Sequence, residues 1–312
     1  MTESSLNLTP FKSKLRINPT VFIRRLVWKI AIATLFLMAV GSATRVMNAG
    51  LACPDWPLCY GQLVPTQQMN LQVFLEWFHR FDASLIGFST ILLAGLSWWW
   101  RQDLPKWLPW ASTVAFLLIV FQGVLGGLTV TQMLRFDIVT AHLGTALLFF
   151  SVLIAIATAR LPTPNFQREQ SPATRSLVRI SAIATILVYL QSLLGGLVAS
   201  KWALHQCFNG SELCNVMNGH LIGVVPPTVA TILLGWWTWR TPGTPKLLNK
   251  LATAIISLVI VQISLGIATF RLHLQVETLT VTHQMIGASL LGVLVAFTIL
   301  AMKDTKPTAI KN

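Results

Sequence analysis

Apolar residues run along this chain in eight long blocks, not at the period of two that marks a half-buried strand. The blocks lie near residues 26–44, 76–99, 107–130, 137–159, 178–200, 217–239, 251–271 and 279–301. Each is about 20 residues long, enough to cross roughly 30 Å of hydrocarbon as a helix. Strands of a membrane barrel would instead alternate apolar and polar positions over about ten residues. Ala115 to Val120 and Leu290 to Phe297 are apolar without a break. The pattern predicts an all-α integral membrane protein with eight transmembrane helices.

Composition supports this reading. Of 312 residues 54% are hydrophobic and 11% charged, against about 25% charged in an average soluble domain. Mean hydropathy is +0.65. A soluble fold of this size could not hide so much apolar surface, and a disordered chain or a disulfide-stapled miniprotein is excluded as well. The net charge of +13 would suggest nucleic acid in a soluble chain. Here topology accounts for it. Eighteen Lys and Arg residues fall in the tails and in the loops on the tails' side, and five (Arg45, Arg80, Arg135, Lys201 and Arg271) on the other. The positive-inside rule then places both termini in the cytoplasm. The first block follows a long basic tail and no small-residue cleavage site follows it, so neither a cleaved signal peptide nor an organelle transit peptide is expected.

The chain also repeats itself. His79 and His220 are 141 residues apart, as are His142 and His283. Cys53 and Cys207 are 154 apart, Gly41 and Gly195 also 154, and Cys59 and Cys214 155. The two offsets describe one duplication, with a loop about 14 residues longer between Cys59 and His79 in the first copy. Three odd-numbered helices carry Gln-x-x-x-Gly, at Gln122/Gly126, Gln191/Gly195 and Gln262/Gly266. The expected architecture is two parallel-repeat four-helix bundles, since a parallel repeat needs an even number of spans. The expected divisions are a cytoplasmic N-tail (1–25), a first half (26–160), a cytoplasmic linker (161–177), a second half (178–302) and a cytoplasmic C-tail (303–312). The glycines read first as helix-packing residues, and they also leave room for a flat macrocycle in a bundle core.

Four of the six histidines obey the repeat, and each lies near the outer start of an even-numbered helix. One histidine in an apolar helix is usually a packing residue. Four at matched depth point to function, because ionisable groups inside a bilayer are costly. Two imidazoles on facing helices suit iron, copper or zinc. Zinc or non-haem iron would want further carboxylates or thiols, and only the first half offers one, Glu76. A haem needs no more protein ligands than two axial histidines. His205 and His273 do not match across the repeat and receive no role.

The four cysteines fall in outer loops as the pairs Cys53–Cys59 and Cys207–Cys214. An oxidising outer compartment favours structural disulfides; zinc binding or a reducible bridge are the competing readings. The halves differ around the first histidine of each. The first half reads Glu76-Trp77-Phe78-His79-Arg80, and in the second Met217 takes the place of the acid, Leu221 that of Arg80 and Gly223 that of Asp82. Glu76 and His79 share a helix face. An interfacial ion pair of Glu76 with Arg80 or Arg45 competes with a chemical role. Arg45, Arg80, Lys201 and Arg271 are candidate partners for haem propionates.

Taken together, Gly41-Ser42-Ala43-Thr44-Arg45, Cys53-Pro54-Asp55-Trp56-Pro57-Leu58-Cys59, Glu76-x-x-His79-Arg80, Thr140-Ala141-His142-Leu143-Gly144, Asn218-Gly219-His220 and Thr282-His283-Gln284 resemble the haem A synthase family, over Leu26 to Met302. The resemblance implies an oxidoreductase acting on a CH group, in a bacterial cytoplasmic membrane. Its reaction would convert the ring-D methyl of haem O to a formyl group with oxygen from water, making haem A for terminal oxidases. It implies substrate haem O between His79 and His142, a haem b cofactor between His220 and His283, and Glu76 as the essential acid. It further implies an electron acceptor, delivery from a haem O synthase (a farnesyltransferase) and hand-over to oxidase assembly factors. The partners are then haem O and the lipid bilayer, with no nucleic acid. A dihaem b-type electron-transfer cytochrome is the rival; it explains four histidines but not one acid in one half. A two-repeat transporter would carry helices broken at the midplane, and none is expected here.

Orientation is tested by thiol chemistry. After reduction, impermeant thiol reagents applied to intact cells are expected to label Cys53, Cys59, Cys207 and Cys214. Labelling confined to inverted vesicles would reverse the topology.

Overall fold

The computed structural model describes residues 18–159, 172–199, 212–272 and 275–304. Among these residues lie the helices α1 (Pro19–Val46), α2 (Leu71–Trp99), α3 (Trp107–Thr131), α4 (Phe136–Ala159), α5 (Pro172–Val198), α6 (Glu212–Gly223), α7 (Val225–Arg240), α8 (Lys246–Arg271) and α9 (Glu277–Asp304). α6 and α7 together form one crossing segment, which gives 8 segments long and apolar enough to span a membrane. The chain is an all-helical, multi-pass membrane protein.

Several helices begin a turn or two before the apolar blocks, and capping explains two of these. The Asn18 side chain accepts from the Val21 N–H at 3.3 Å, and Pro19 opens α1. The Asn70 side chain accepts from the Val73 N–H at 2.9 Å. Both satisfy amide donors that a helix start leaves free. No broken helix was expected, yet the sixth segment is interrupted at Val224. Pro226 and Pro227 have no amide hydrogen, so the carbonyls of Ile222 and Gly223 lose their helical donors. Val224 keeps helical angles (φ −68°, ψ −24°), and the interruption lies towards the start of the segment.

α1 packs on α2 and α4, and α3 packs on the same two helices, so the first four helices close a ring. α5 packs on α6, α7 and α9, and α8 on α7 and α9. α9 also lies against α1 and α4, and α4 against α5. One apolar core runs through these contacts, with Val27, Phe149, Leu153, Leu291 and Phe297 buried in it. Buried hydroxyls turn back on their own helices, as when Thr34 donates to the Ile30 carbonyl and Thr238 to that of Leu234. In hydrocarbon no water would satisfy them. Trp98, Trp99, Trp107 and Trp110 cluster where α2 ends and α3 begins, as expected of a belt at a membrane interface.

Close approach of α4 to α5 depends on glycine. A Cβ on Gly144 would meet Leu193 at 2.8 Å, and one on Gly196 would meet Leu143 at 2.8 Å. Gly196→Val is expected to cost about 1–3 kcal/mol through overpacking, seen as a lower unfolding midpoint in detergent. Gly95→Val, where a Cβ meets nothing within 4 Å, is the control and should leave the midpoint near that of the parent. Equal midpoints for both variants would show that this contact does not hold α4 to α5.

Candidate functional site

An imidazole needs room to stand inside a helical bundle, and glycine supplies it four times. A Cβ on Gly41 (α1) would lie 2.8 Å from Cε1 of His79 (α2). The same Cβ would lie 3.4 Å from His142 (α4) at Gly126 (α3), 3.0 Å from His220 (α6) at Gly195 (α5), and 3.1 Å from His283 (α9) at Gly266 (α8). Each ring therefore rests on the bare backbone of the preceding crossing helix. The sequence marked these glycines as packing residues; the structure identifies the histidines as what they pack against. The backbone carbonyl one turn before each glycine, of Leu37, Gln122, Gln191 and Gln262, faces the ring.

Two of the three glutamines of the Gln-x-x-x-Gly pattern, Gln191 and Gln262, do more than the sequence indicated. Gln191 Nε2 lies 3.0 Å from His220 Nδ1 and donates to the His220 carbonyl at 2.7 Å. Gln262 Nε2 lies 3.3 Å from His283 Nε2. Only their spacing pointed to these contacts. Nδ1 of His79, His142 and His283 is buried without a hydrogen-bond partner.

α1 to α4 enclose a cavity of about 660 Å³, within the range of roughly 300–1,000 Å³ usual for small-molecule sites. His79, His142, Glu76, Arg45, Arg80 and Trp56 all line it. Glu76 is 4% exposed. Its Oε2 accepts from the Cys53 N–H at 2.8 Å and its Oε1 from Arg80 at 2.6 Å. Arg80 also donates to the carbonyls of Asp55 at 2.6 Å, Leu58 at 2.5 Å and Cys53 at 3.4 Å. Of the two arginines weighed as partners of Glu76, Arg80 pairs with it. Arg45 turns the other way, donating at 3.2 Å to Gln284 Oε1 on α9, with its Nε buried and unpartnered.

The loop after α1 roofs this cavity. A disulfide joins Cys53 to Cys59, as the outer-loop position led us to expect. The Asp55 carboxylate accepts from the N–H groups of Tyr60 at 2.6 Å and Gly61 at 2.8 Å. These bonds, that from Gly61 foremost, hold the Asp55 carboxyl below the usual carboxylate range. Gly61 takes φ +69° there, open to a residue without a Cβ. The Trp56 ring reaches Gly127 on α3, where a Cβ would meet it at 3.2 Å.

Arg271 closes α8 and is exposed. Lys201, His205, Cys207 and His273 lie outside the described residues, and so does the expected Cys207–Cys214 pairing. Among the described residues no three His, Cys, Asp or Glu side chains converge as a metal site. A metal held by protein side chains alone would want three or four.

Comparison with known proteins agrees with this geometry. A family model described as cytochrome oxidase assembly protein matches residues 24–295. A heme A synthase of Shewanella oneidensis is 27% identical, covering 86% of this chain and 93% of its own. Those of Shouchella clausii and Sphingopyxis alaskensis are 24% and 27% identical, covering 91% and 95% of this chain and 98% and 96% of their own. With the family model spanning most of the sequence and these relatives aligned nearly end to end, the chain belongs to the haem A synthase family of cytochrome oxidase assembly proteins.

Proposed function

We propose that this protein oxidises the ring-D methyl of haem O to a formyl group, making haem A for terminal oxidases. The observation that carries the reading is the cavity that two histidines and one buried carboxylate line together, His79, His142 and Glu76. His79 and His142 would hold the substrate iron, and His220 and His283 a resident haem b. The first ring of helices and the second set are the two copies of a duplicated four-helix unit, with both termini in the cytoplasm. The residues present fit a planar iron macrocycle in three ways. Each ring stands on a glycine whose missing Cβ makes room for it. The cavity has the volume of a ligand site. Two histidines per site are too few for a bare metal and suffice for a porphyrin.

The net change adds one oxygen from water to the methyl carbon and removes four protons and four electrons. His220 and His283 would hold a haem b, which would supply one-electron transfer towards an external acceptor. Everything else falls to this chain's side chains. His79 and His142 fix the macrocycle on both faces. Glu76, on the same helix face as His79, takes a proton from the methyl group or from the attacking water. Arg80 and the Cys53 amide keep its carboxylate aimed and occupy only part of its acceptor capacity. Trp56 and the disulfide loop restrict water at the mouth. Arg45 lines this cavity and binds Gln284, the neighbour of His283, so the two sites share a wall at α1 and α9. Its unpartnered Nε suits a propionate; Arg271 and Lys201 remain candidates on the second site, and the fork of Arg80 is taken up by Glu76 and the loop.

Pigment analysis tests the assignment. His220→Leu or His283→Leu is expected to remove the haem b; retention of unchanged low-spin spectra in both would overturn it. His79→Leu or His142→Leu should spare that haem and abolish turnover. Glu76→Gln should keep haem b and bound substrate while haem A formation falls about 10²–10⁴-fold, the usual worth of a general base, or stops at the alcohol. Haem A made at the parental rate would reduce Glu76 to an anchor for the loop.

A further inference from the structure

The cavity does not end at the level of the histidines. Ile91 on α2 and Phe116 and Val120 on α3 also line it. At 1.5 Å per residue, Ile91 lies about 18 Å along α2 from His79, and Val120 about 9 Å along α3 from Gly126 beneath His142. This deep arm is apolar, and it reaches the outer surface. Ile91 is 52% and Val120 49% exposed, although both line the cavity. Ser84 and Gly123 are exposed lining residues too. Side chains that are at once cavity wall and outer surface mark an opening, here between α2 and α3.

The frame of this opening is visible on both sides. Gly87 on α2 and Gly123 on α3 line the cavity, and a Cβ on either would meet nothing within 4 Å. The glycines under the histidines are crowded by comparison. At the end away from the histidines, α2 and α3 are clasped together. Ser97 and Ser112 hydroxyls lie 3.0 Å apart, and Trp98 Nε1 donates to Thr113 at 3.0 Å. At the other end Trp56 rests on Gly127. The opening lies between these two closures. Its outer rim carries the exposed apolar residues Phe88, Leu117 and Val124, so in a membrane it faces lipid and not water.

We propose that this slot is a lateral port to the bilayer that receives the isoprenoid chain of the substrate macrocycle. The proposal rests on the reading of His79 and His142 as the substrate site. A hydrocarbon chain attached to a ring held there has two ways to go. Towards the mouth it meets the Arg80 fork and the loop carbonyls. Along the deep arm it meets Ile91, Phe116 and Val120, then lipid. Burial favours the second by about fourfold in affinity for each methylene. A port in the side of the bundle also lets substrate enter and product leave without passing that chain through water.

The test compares haem O with haem B, which lacks the chain, binding to full-length protein whose second site is already filled. Gly87→Phe and Gly123→Phe place a ring in the slot. They are expected to weaken haem O binding at least about tenfold, the worth of two buried methylenes, and to leave haem B binding unchanged. A second readout places cysteine at Ile91→Cys or Val120→Cys. Haem O should slow labelling by a membrane-soluble maleimide, and haem B should not. Equal weakening of both pigments in the Phe variants, unaltered haem O binding, or equal protection by both pigments would overturn the port. Parent protein that binds neither pigment at its first site would instead overturn the site assignment.

Discussion

Each of the four repeat histidines stands where the helix before it has given up a side chain. Those positions are Gly41, Gly126, Gly195 and Gly266, each pressed against one of the four histidines. The pairing ties each even-numbered crossing helix to the one before it at the level of the ring. It brings backbone into contact with each imidazole. The approximate equality of the four contacts follows from the duplicated spacing. An interior in which one residue in each pair is fixed as glycine has little freedom to shift its register, because any Cβ would meet a ring that cannot move without losing its place.

Glu76 sits where that regular scaffold becomes irregular. The ion-pair reading and the chemical reading of this residue were set against each other at the level of sequence. The structure satisfies the first without excluding the second. Its pairing with Arg80 is an i, i+4 contact on α2, and the same guanidinium gathers three carbonyls of the loop after α1. A charged pair this deeply buried is costly unless its remaining donors and acceptors are filled. Here the loop backbone fills several of them. The carboxylate thereby anchors the roof of the cavity while still forming part of its wall.

What could be read from the sequence, and what could not, follows from the range of the interactions involved. Eight crossing segments and four matched histidines were legible because block length and spacing are local quantities. The Cys53–Cys59 bridge was legible because six residues separate the partners. The break at Val224 was legible in principle, from Pro226 and Pro227, but an apolar block hides it from a hydropathy argument. Arg45 was not legible: its partner Gln284 is 239 residues away, and charge alone pointed it at Glu76. The slot between α2 and α3 was hidden for a related reason. Gly87 and Gly123 look like the packing glycines, and only the assembled helices show that nothing packs against them.

The longer loop of the first half and its unmatched acid belong to one feature. The extra residues between Cys59 and His79 include the turn Thr66–Gln68, and the Leu63 carbonyl accepts from Trp77 Nε1 at 2.7 Å, pinning that stretch to α2 one residue after Glu76. The insertion thus lies against the same turn of helix that carries the carboxylate. On the proposed reading, the reaction brings water, a proton acceptor and an amphipathic macrocycle to one place, and those three demand different surroundings. The cavity supplies them along its length. Its mouth is polar, held by Glu76, Arg80 and loop backbone; its middle is set by two imidazoles; its deep arm is hydrocarbon and opens to lipid. A duplicated bundle supplies only the middle. The roof makes one copy polar at one end, the gap between α2 and α3 makes it apolar and open at the other, and the chemistry is placed where the two environments meet.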